Sequence, residues 1–241
     1  MCIRDRVRLV GRETVADRTM SFLFEKPEGF TYRAGQFADY TLIDPPESDS
    51  EGDTRGFTLA SAPYESQLMA TTRMRDTAFK RVMAELPLGT EVVLDAPYGS
   101  FTLPQDTKRP VVFLAGGVGI TPVRSIALQA VHDETAHQIV AFYSCKNPAD
   151  AAFLDELSGL AEAEKGFDLI ATMTQPESAG RPWSGETGYV DAAMITRYVK
   201  DITAPVFLVS GPATMVRALR HTLTGAGVSE DDIRTEEFTG Y

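Results

Sequence analysis

Cysteine is nearly missing from this chain of 241 residues, with only Cys2 and Cys145 present. Two thiols are too few for a disulfide framework and too few for the four thiolates of a plant-type iron–sulfur cluster. Any cluster would have to sit on another polypeptide. Histidine is almost as scarce: His132, His137 and His221 show no metal-ligand spacing with one another or with cysteine, so no metal site is expected and all three read as surface helix or loop residues. Positive charge is outnumbered, 23 Lys and Arg against 34 Asp and Glu, for a net charge of -11. A surface of that sign repels a phosphate backbone, which argues against a nucleic-acid groove. No apolar run approaches the roughly 20 residues that cross a bilayer, so no membrane span is expected. With no signal-peptide pattern either, the cytoplasm is the expected location. The opening Met1-Cys2-Ile3-Arg4-Asp5-Arg6 fits no targeting peptide; it reads as a translated adapter sequence and is left outside the expected fold.

What is present is the composition of a globular protein, 43% hydrophobic and 24% charged, with length enough for two cores. The first hundred residues alternate as short strands over Thr19 to Phe24, Gln36 to Leu42, Phe57 to Ala60 and Glu91 to Leu94, which suggests an antiparallel barrel. One helix interrupts them, with Asp76 or Thr77 as its N-cap, Phe79, Val82, Met83 and Leu86 at helical spacing, and Pro87 and Gly89 at its end. The acidic stretch from Pro45 to Asp53 reads as a solvated loop. From Val111 the pattern becomes strand then helix, repeated, with strands expected at Val111 to Ala115, Ile139 to Ser144, Phe167 to Thr172 and Val206 to Ser210. That alternation implies a parallel sheet covered on both faces. The expected division is therefore a domain over 7–103, a linker over 104–110 and a second domain over 111–241.

The most telling segment is Val111-Val112-Phe113-Leu114-Ala115-Gly116-Gly117-Val118-Gly119-Ile120-Thr121-Pro122, an apolar strand running into a glycine turn and a helix-starting proline. Glycines let a backbone turn tightly and approach a pyrophosphate, and the next helix offers unpaired N–H groups to the anion. Pro122 suits the first helical position because it has no N–H to leave unbonded. Three further blocks accompany it: Arg55-Gly56-Phe57-Thr58-Leu59-Ala60-Ser61, Ser210-Gly211-Pro212-Ala213-Thr214-Met215 and Glu236-Glu237-Phe238. In this order the four blocks resemble the ferredoxin–NADP reductase family of flavoproteins, from about residue 7 to the last.

The resemblance implies a Greek-key β-barrel holding FAD, followed by a Rossmann-like α/β domain binding NAD(P)H. It implies hydride transfer to the flavin and delivery of electrons to a separate acceptor, such as a ferredoxin, a flavodoxin or an oxygenase component. Arg55 would take the flavin pyrophosphate, Phe57 would lie against the ring where tyrosine is commoner, and Thr58 would bond near flavin N5, with Gly56 beside them. The helix starting at Thr77 would meet the same pyrophosphate. The nicotinamide cofactor would lie over Gly116, Gly117, Gly119, Thr121 and Pro122, its adenosine end near Ser144, Lys146, Asp150 and Phe153. Ser210, where the family usually has cysteine, would face the nicotinamide, with Gly211 and Pro212 following. Glu236 would stand near the reacting centre, and either Phe238 or Tyr241 would cover the flavin. Of the neighbouring carboxylates, one is expected to face inward and the other water. Gly35 reads as a structural turn, while Gly99 is also a candidate for ligand proximity. The loop with Trp183, Gly185 and Gly188 either closes over the cofactor or supports the fold. Arg73, Arg75, Lys80 and Arg81 are either a basic docking face or ordinary surface charge. The rival from another class is a non-catalytic flavin-binding electron-transfer or assembly module.

Overall fold

The computed structural model describes residues 2–179 and 182–238, in two six-stranded sheets. The first contains β1 (Ile3–Ala16), β2 (Thr19–Glu25), β3 (Phe37–Leu42), β4 (Thr54–Thr58), β5 (Gln67–Arg73) and β6 (Glu91–Tyr98), with helix α1 (Ala78–Glu85) between the last two. Its order is β4-β3-β6-β1-β2-β5 and all its pairings are antiparallel. The sheet curls until its edges meet through the Leu59–Ala70 bridge and the Ala60 N–H to Met69 O bond of 2.8 Å. It is barrel-like rather than fully closed. Alternate residues fill its interior: Ala38, Tyr40 and Leu42 of β3 face Val92, Leu94 and Ala96 of β6, with Phe22 and Phe24 of β2 in the same core.

The start of the chain corrects the expectation that Met1 to Arg6 lie outside the fold. Ile3 to Arg6 pair with Ala96 to Val93, and Arg6 and Arg8 both reach Glu91. Four arginines in this strand obscure its alternation; Arg4, Arg6 and Arg8 are exposed, Arg12 turns to the carbonyls of Ala84 and Leu86, and Val7 and Leu9 are fully buried.

The second sheet is parallel, in the order β10-β9-β8-β7-β11-β12. It is built from β7 (Val111–Gly116), β8 (Ile139–Cys145), β9 (Phe167–Met173), β10 (Glu186–Thr187), β11 (Val206–Pro212) and β12 (Ile233–Phe238), with helices α2 (Ile120–His132), α3 (Leu154–Ala163), α4 (Ala192–Tyr198) and α5 (Ala213–Gly225). Every residue of β7 is buried, because the sheet is covered on both faces. Val111, Phe113 and Ala115 join one core with α2 and α3, and Val112 and Leu114 join the other with α4 and α5. The chain leaves β7 first toward β8, β9 and β10, then returns to the opposite side for β11 and β12. β7 is thus the switch point of the sheet, and ligands of open parallel sheets bind at the carboxyl ends of strands beside such a point.

The two sheets are fastened together. Arg124 of α2, only 6% exposed, donates to Ala60 O and pairs with Glu65 at 2.9 Å and Glu156 at 2.8 Å. Ser125 Oγ donates to Ser61 O at 2.6 Å, and Tyr32 Oη donates to the same carbonyl. Arg73 of β5 reaches Asp150 at 3.3 Å, the Asp17 N–H donates to Ala149 O, and Arg234 donates to Thr102 O. Gly35 lies in this seam at φ +92°; a Cβ there would meet Phe101 O at 2.0 Å, so the position tolerates only glycine.

Candidate functional site

At the junction of the sheets lies a cavity of about 240 Å3, lined by Arg55, Gly56, Phe57 and Thr58 of β4, Arg73, Arg75, Thr77 and Lys80 around β5 and α1, Val118 of the glycine turn, and Phe238 at the end of β12. The structure therefore gathers Arg55, Gly56, Phe57, Thr58, Thr77 and Phe238, which are scattered over most of the sequence, around one space. Phe57 rests against Tyr40 and Phe79 at 6.0 and 5.9 Å between ring centroids. That packing fixes its ring beside the cavity. The Thr58 hydroxyl is buried, lines the cavity and has no hydrogen-bond partner among the described residues. A buried hydroxyl without a partner is costly, and a ligand edge with donors and acceptors would satisfy it.

Arg55 is 17% exposed and already engaged. Its guanidinium lies over the Phe79 ring, pairs with Asp49 at 3.0 Å and Glu51 at 3.1 Å, and donates to three carbonyls of the 51–54 turn. The expected Thr77 cap is partly corrected. Thr77 has the extended N-cap backbone, but its hydroxyl makes no capping bond; Asp49 Oδ2 instead accepts from the Ala78 N–H at 3.1 Å. The loop from Pro45 to Asp53 is thus more than solvated chain, since its carboxylate occupies both the Arg55 fork and the helix N-terminus. Desolvation pushes the Asp49 carboxyl up, but the Glu51 and Ala78 N–H groups and Arg55 outweigh it and hold the group below the usual carboxylate range.

Sequence reasoning did not single out Lys80 as a cavity residue. Burial, aided by the charges of Arg75 and Arg55, pulls its ammonium down to about 8, and Nζ donates to Arg73 O at 2.6 Å. Arg73, Arg75 and Lys80 thus line the cavity, and Arg81 points away to Glu47 and Asp76. Arg73 and Lys80 are half-buried at the cavity, while Arg75 and Arg81 are exposed.

The glycine turn sits at the carboxyl end of β7, as expected. Gly117 has φ +51°, while a Cβ on Gly119 would meet Ser210 O at 2.3 Å and one on Gly116 would meet Met215 Sδ at 2.4 Å. These two glycines let the turn nest against β11. Gly211, at φ +147°, has Gly116 O at 3.0 Å from where its Cβ would stand, and Pro212 closes the strand. Pro122 is the third residue of α2 and not the first, because the short 3-10 turn Gly117–Gly119 runs directly into the helix at Ile120. It still lies in the first turn, where a missing N–H costs nothing. Thr121 donates to Val118 O at 2.9 Å and is 1% exposed, so its hydroxyl braces the turn.

Ser210 departs furthest from its expected role. It is fully buried and its hydroxyl donates to Gly119 O at 2.7 Å, which ties β11 to the turn. Ser144 is half-buried in register with Gly116, and Lys146 is exposed just beyond it. Asp150 is spent on Arg73, and the Phe153 ring covers the Arg124 guanidinium at 5.2 Å. Trp183 lies against Gly185, packs on the core shared with α2 and α3, and donates to Glu186 O. His137 is buried and donates from Nε2 to Pro104 O at 3.1 Å, which corrects its assignment to the surface.

Glu236 and Glu237 divide as strand neighbours should, the second exposed and the first turned inward. Glu236 stands opposite Ser210 in the β11–β12 register, and its Oε2 is enclosed without a partner among the described residues. Burial pushes its carboxyl up to about 7. Phe238 is half-buried at the cavity; Tyr241, the other candidate cover, lies outside the described residues. A larger cleft of about 430 Å3 opens at the opposite ends of the parallel strands beside His137 and Lys165, remote from this chemistry.

Comparison with known proteins agrees with this geometry. Residues 113–221 match the oxidoreductase NAD-binding domain family. The fold superposes on a ferredoxin NADP+ reductase from Neisseria gonorrhoeae with a TM-score of 0.81, covering 97% of this chain and 98% of that one at 20% identity. The chain is similar in sequence and fold to ferredoxin–NADP reductases. It is 28% identical over 242 residues to ferredoxin–NADP reductase B of Sorangium cellulosum, covering 96% of each. It is 29% identical over 241 residues to the glycine betaine monooxygenase reductase subunit of Chromohalobacter salexigens, covering 98% of this chain but 64% of that one. It thus spans just under two thirds of the length of that oxygenase-reductase relative. No described helix is long and apolar enough to cross a membrane.

Proposed function

We propose that the chain binds FAD at the junction cavity and NAD(P)H over the β7 turn, and passes reducing equivalents to a separate redox protein. The observation that carries this reading is the cavity itself, where an arginine, an aromatic ring and an orphaned buried hydroxyl of one sheet face the glycine turn and terminal aromatic of the other. The donor set fits a dinucleotide flavin. Arg55, Lys80 and the N-terminus of α1 suit a diphosphate, Phe57 suits a flat ring, and the Thr58 hydroxyl can donate or accept at its edge.

When bound, a flavin supplies the ability to accept two electrons from a nicotinamide and release them singly. The protein orients and shields. Phe57 and Phe238 bound the space and keep water from it, and the glycine turn lets a second ligand approach the β7 end without a side chain intervening. Glu236, two residues before Phe238 on β12, is turned inward, and burial pushes its carboxyl up to about 7. The oxygenase and ferredoxin reductases among the relatives support an oxygenase component or a ferredoxin as the acceptor. Ser144 and Lys146 are the proposed adenosine contacts.

The test is anaerobic addition of NADH or NADPH to the flavin-loaded protein, with absorbance followed at the flavin band. Bleaching by either nucleotide, followed by reoxidation with a ferredoxin or oxygenase component, is the expected result. A loaded protein that neither nucleotide bleaches would instead be a non-catalytic flavin module. Cofactor released by heat is expected to be FAD, one per chain, and stoichiometric FMN would overturn that assignment.

A further inference from the structure

We propose that the acidic β3–β4 loop is a built-in competitor for the cofactor site: the Asp49 carboxylate holds the place of a diphosphate between Arg55 and the N-terminus of α1, and a bound dinucleotide flavin displaces it. This rests on the flavin reading above. One carboxylate serves two anion contacts, Oδ1 toward Arg55 Nη2 at 3.0 Å and Oδ2 toward the Ala78 N–H at 3.1 Å, as two phosphate oxygens would. Glu51 adds a second carboxylate to the same guanidinium and lines the cavity.

Two further observations show that this is a ligand's place held by the protein. The cavity of about 240 Å3 is smaller than the roughly 300–1,000 Å3 usual for cofactor-sized ligands, and the loop closes its charged end. At the other end the buried Thr58 hydroxyl has no partner among the described residues, so the space has a polar wall prepared for an occupant. The loop is also held in a way that permits its removal. None of residues 43–53 is buried, and beyond the flanking β3–β4 hydrogen bonds its ties to the rest of the barrel are polar: ion pairs of Asp49 and Glu51 with Arg55 and of Glu47 with Arg81, and hydrogen bonds from the Ala78 N–H to Asp49 and from Arg55 to Glu51 O and Gly52 O. The Glu47–Arg81 pair is exposed and contributes little, so the Arg55–Asp49 pair, at 17% and 29% exposure, is the contact that an entering anion has to replace. A diphosphate offers more acceptor oxygens and more charge than one carboxylate, so it wins the same donors. The loop then swings out on the two strand ends that carry it.

The experiment compares the full chain with Asp49→Asn, which keeps the side chain's shape and removes its charge. FAD affinity of the flavin-stripped protein and the rate of FAD release from the loaded protein are read by flavin fluorescence, with riboflavin as the probe lacking a diphosphate. FAD should bind the variant about tenfold more tightly and leave it correspondingly more slowly, with riboflavin unchanged, because one charge-assisted contact is no longer broken on binding. Equal FAD affinity in both proteins, weaker FAD binding by the variant, or an equal gain for riboflavin each overturns the proposal. Should Asp49→Asn fail to fold, Glu51→Gln carries the same expectation in smaller measure. Calorimetric titration with inorganic pyrophosphate separates the two readings. A variant that gains pyrophosphate affinity while neither protein binds FAD upholds Asp49 as the resident anion and overturns the flavin assignment alone.

Discussion

Replacing Glu236 with Gln should make this protein more stable, and the gain should depend on pH. The carboxyl is enclosed on one side, has no partner for Oε2 among the described residues, and is pushed by burial from 4.5 to about 7. Unfolding returns it to its ordinary value. Between 4.5 and about 7 the folded chain therefore holds more proton than the unfolded one, and stability falls as pH rises through that window. At about 1.4 kcal/mol for each pH unit of the difference, the full loss is about 3 kcal/mol, and solvent at the outer part of this half-buried side chain reduces it to about 2 kcal/mol. Gln cannot ionise and escapes the loss. Urea unfolding of the flavin-free proteins at about pH 5 and about pH 8 should show near-equal stability at the lower pH and a gap of about 2 kcal/mol at the higher, or about 4–8 °C in thermal midpoint for a chain this long. A gap of the same size at both pH values would refute the reasoning, because it would come from packing and not from the proton.

Arg55→Ala should weaken FAD binding by about 1.5–3 kcal/mol, the worth of a charged hydrogen bond, with folding little changed; unchanged affinity in a flavin titration would make Arg55 a tether for the acidic loop only. Phe238→Ala should raise flavin fluorescence and tighten nicotinamide binding by up to about tenfold, the scale of one aromatic contact, whereas deletion of Thr239 to Tyr241 should change neither; if neither variant has an effect, no lid exists. Arg124→Met should cost about 3 kcal/mol of stability by leaving Glu65 and Glu156 facing each other across the seam, measured as a fall in thermal midpoint; a neutral result would show that the carboxylates find water without cost.

Local chemistry carried much of the fold into view. The β7 strand, the glycine turn and the strand–helix alternation after Val111 are consecutive in sequence, and so was the division of Glu236 from Glu237. β1 was hidden because its outward face is rich in arginine, and bulges near Leu9 to Gly11 and Thr14 to Ala16 break its alternation. β5 was hidden for the opposite reason, since Leu68 to Thr72 are all buried and no alternation is left to read. The site was legible where motifs are contiguous, as in Arg55 to Thr58. Asp49 capping a helix 29 residues away, and Lys80 turned inward beside three arginines, come from long-range packing that spacing does not encode. Ser210 shows the converse, a motif position whose hydroxyl the fold consumes 91 residues away at Gly119.

The seam around Ala60 and Ser61 has a mechanical consequence. Three side chains from both halves, Tyr32, Arg124 and Ser125, grip two adjacent carbonyls, and the buried guanidinium is clamped again by a carboxylate from each half. A hinge at that seam would have to break all of these bonds together. The halves therefore move as one body, and traffic in and out of the cavity falls to its small parts: a ring at the end of β12 and a charged loop beside β4. Such a machine breathes at its lips, not at its jaw, and its turnover should respond to single side chains at the rim far more than to anything that stiffens the body.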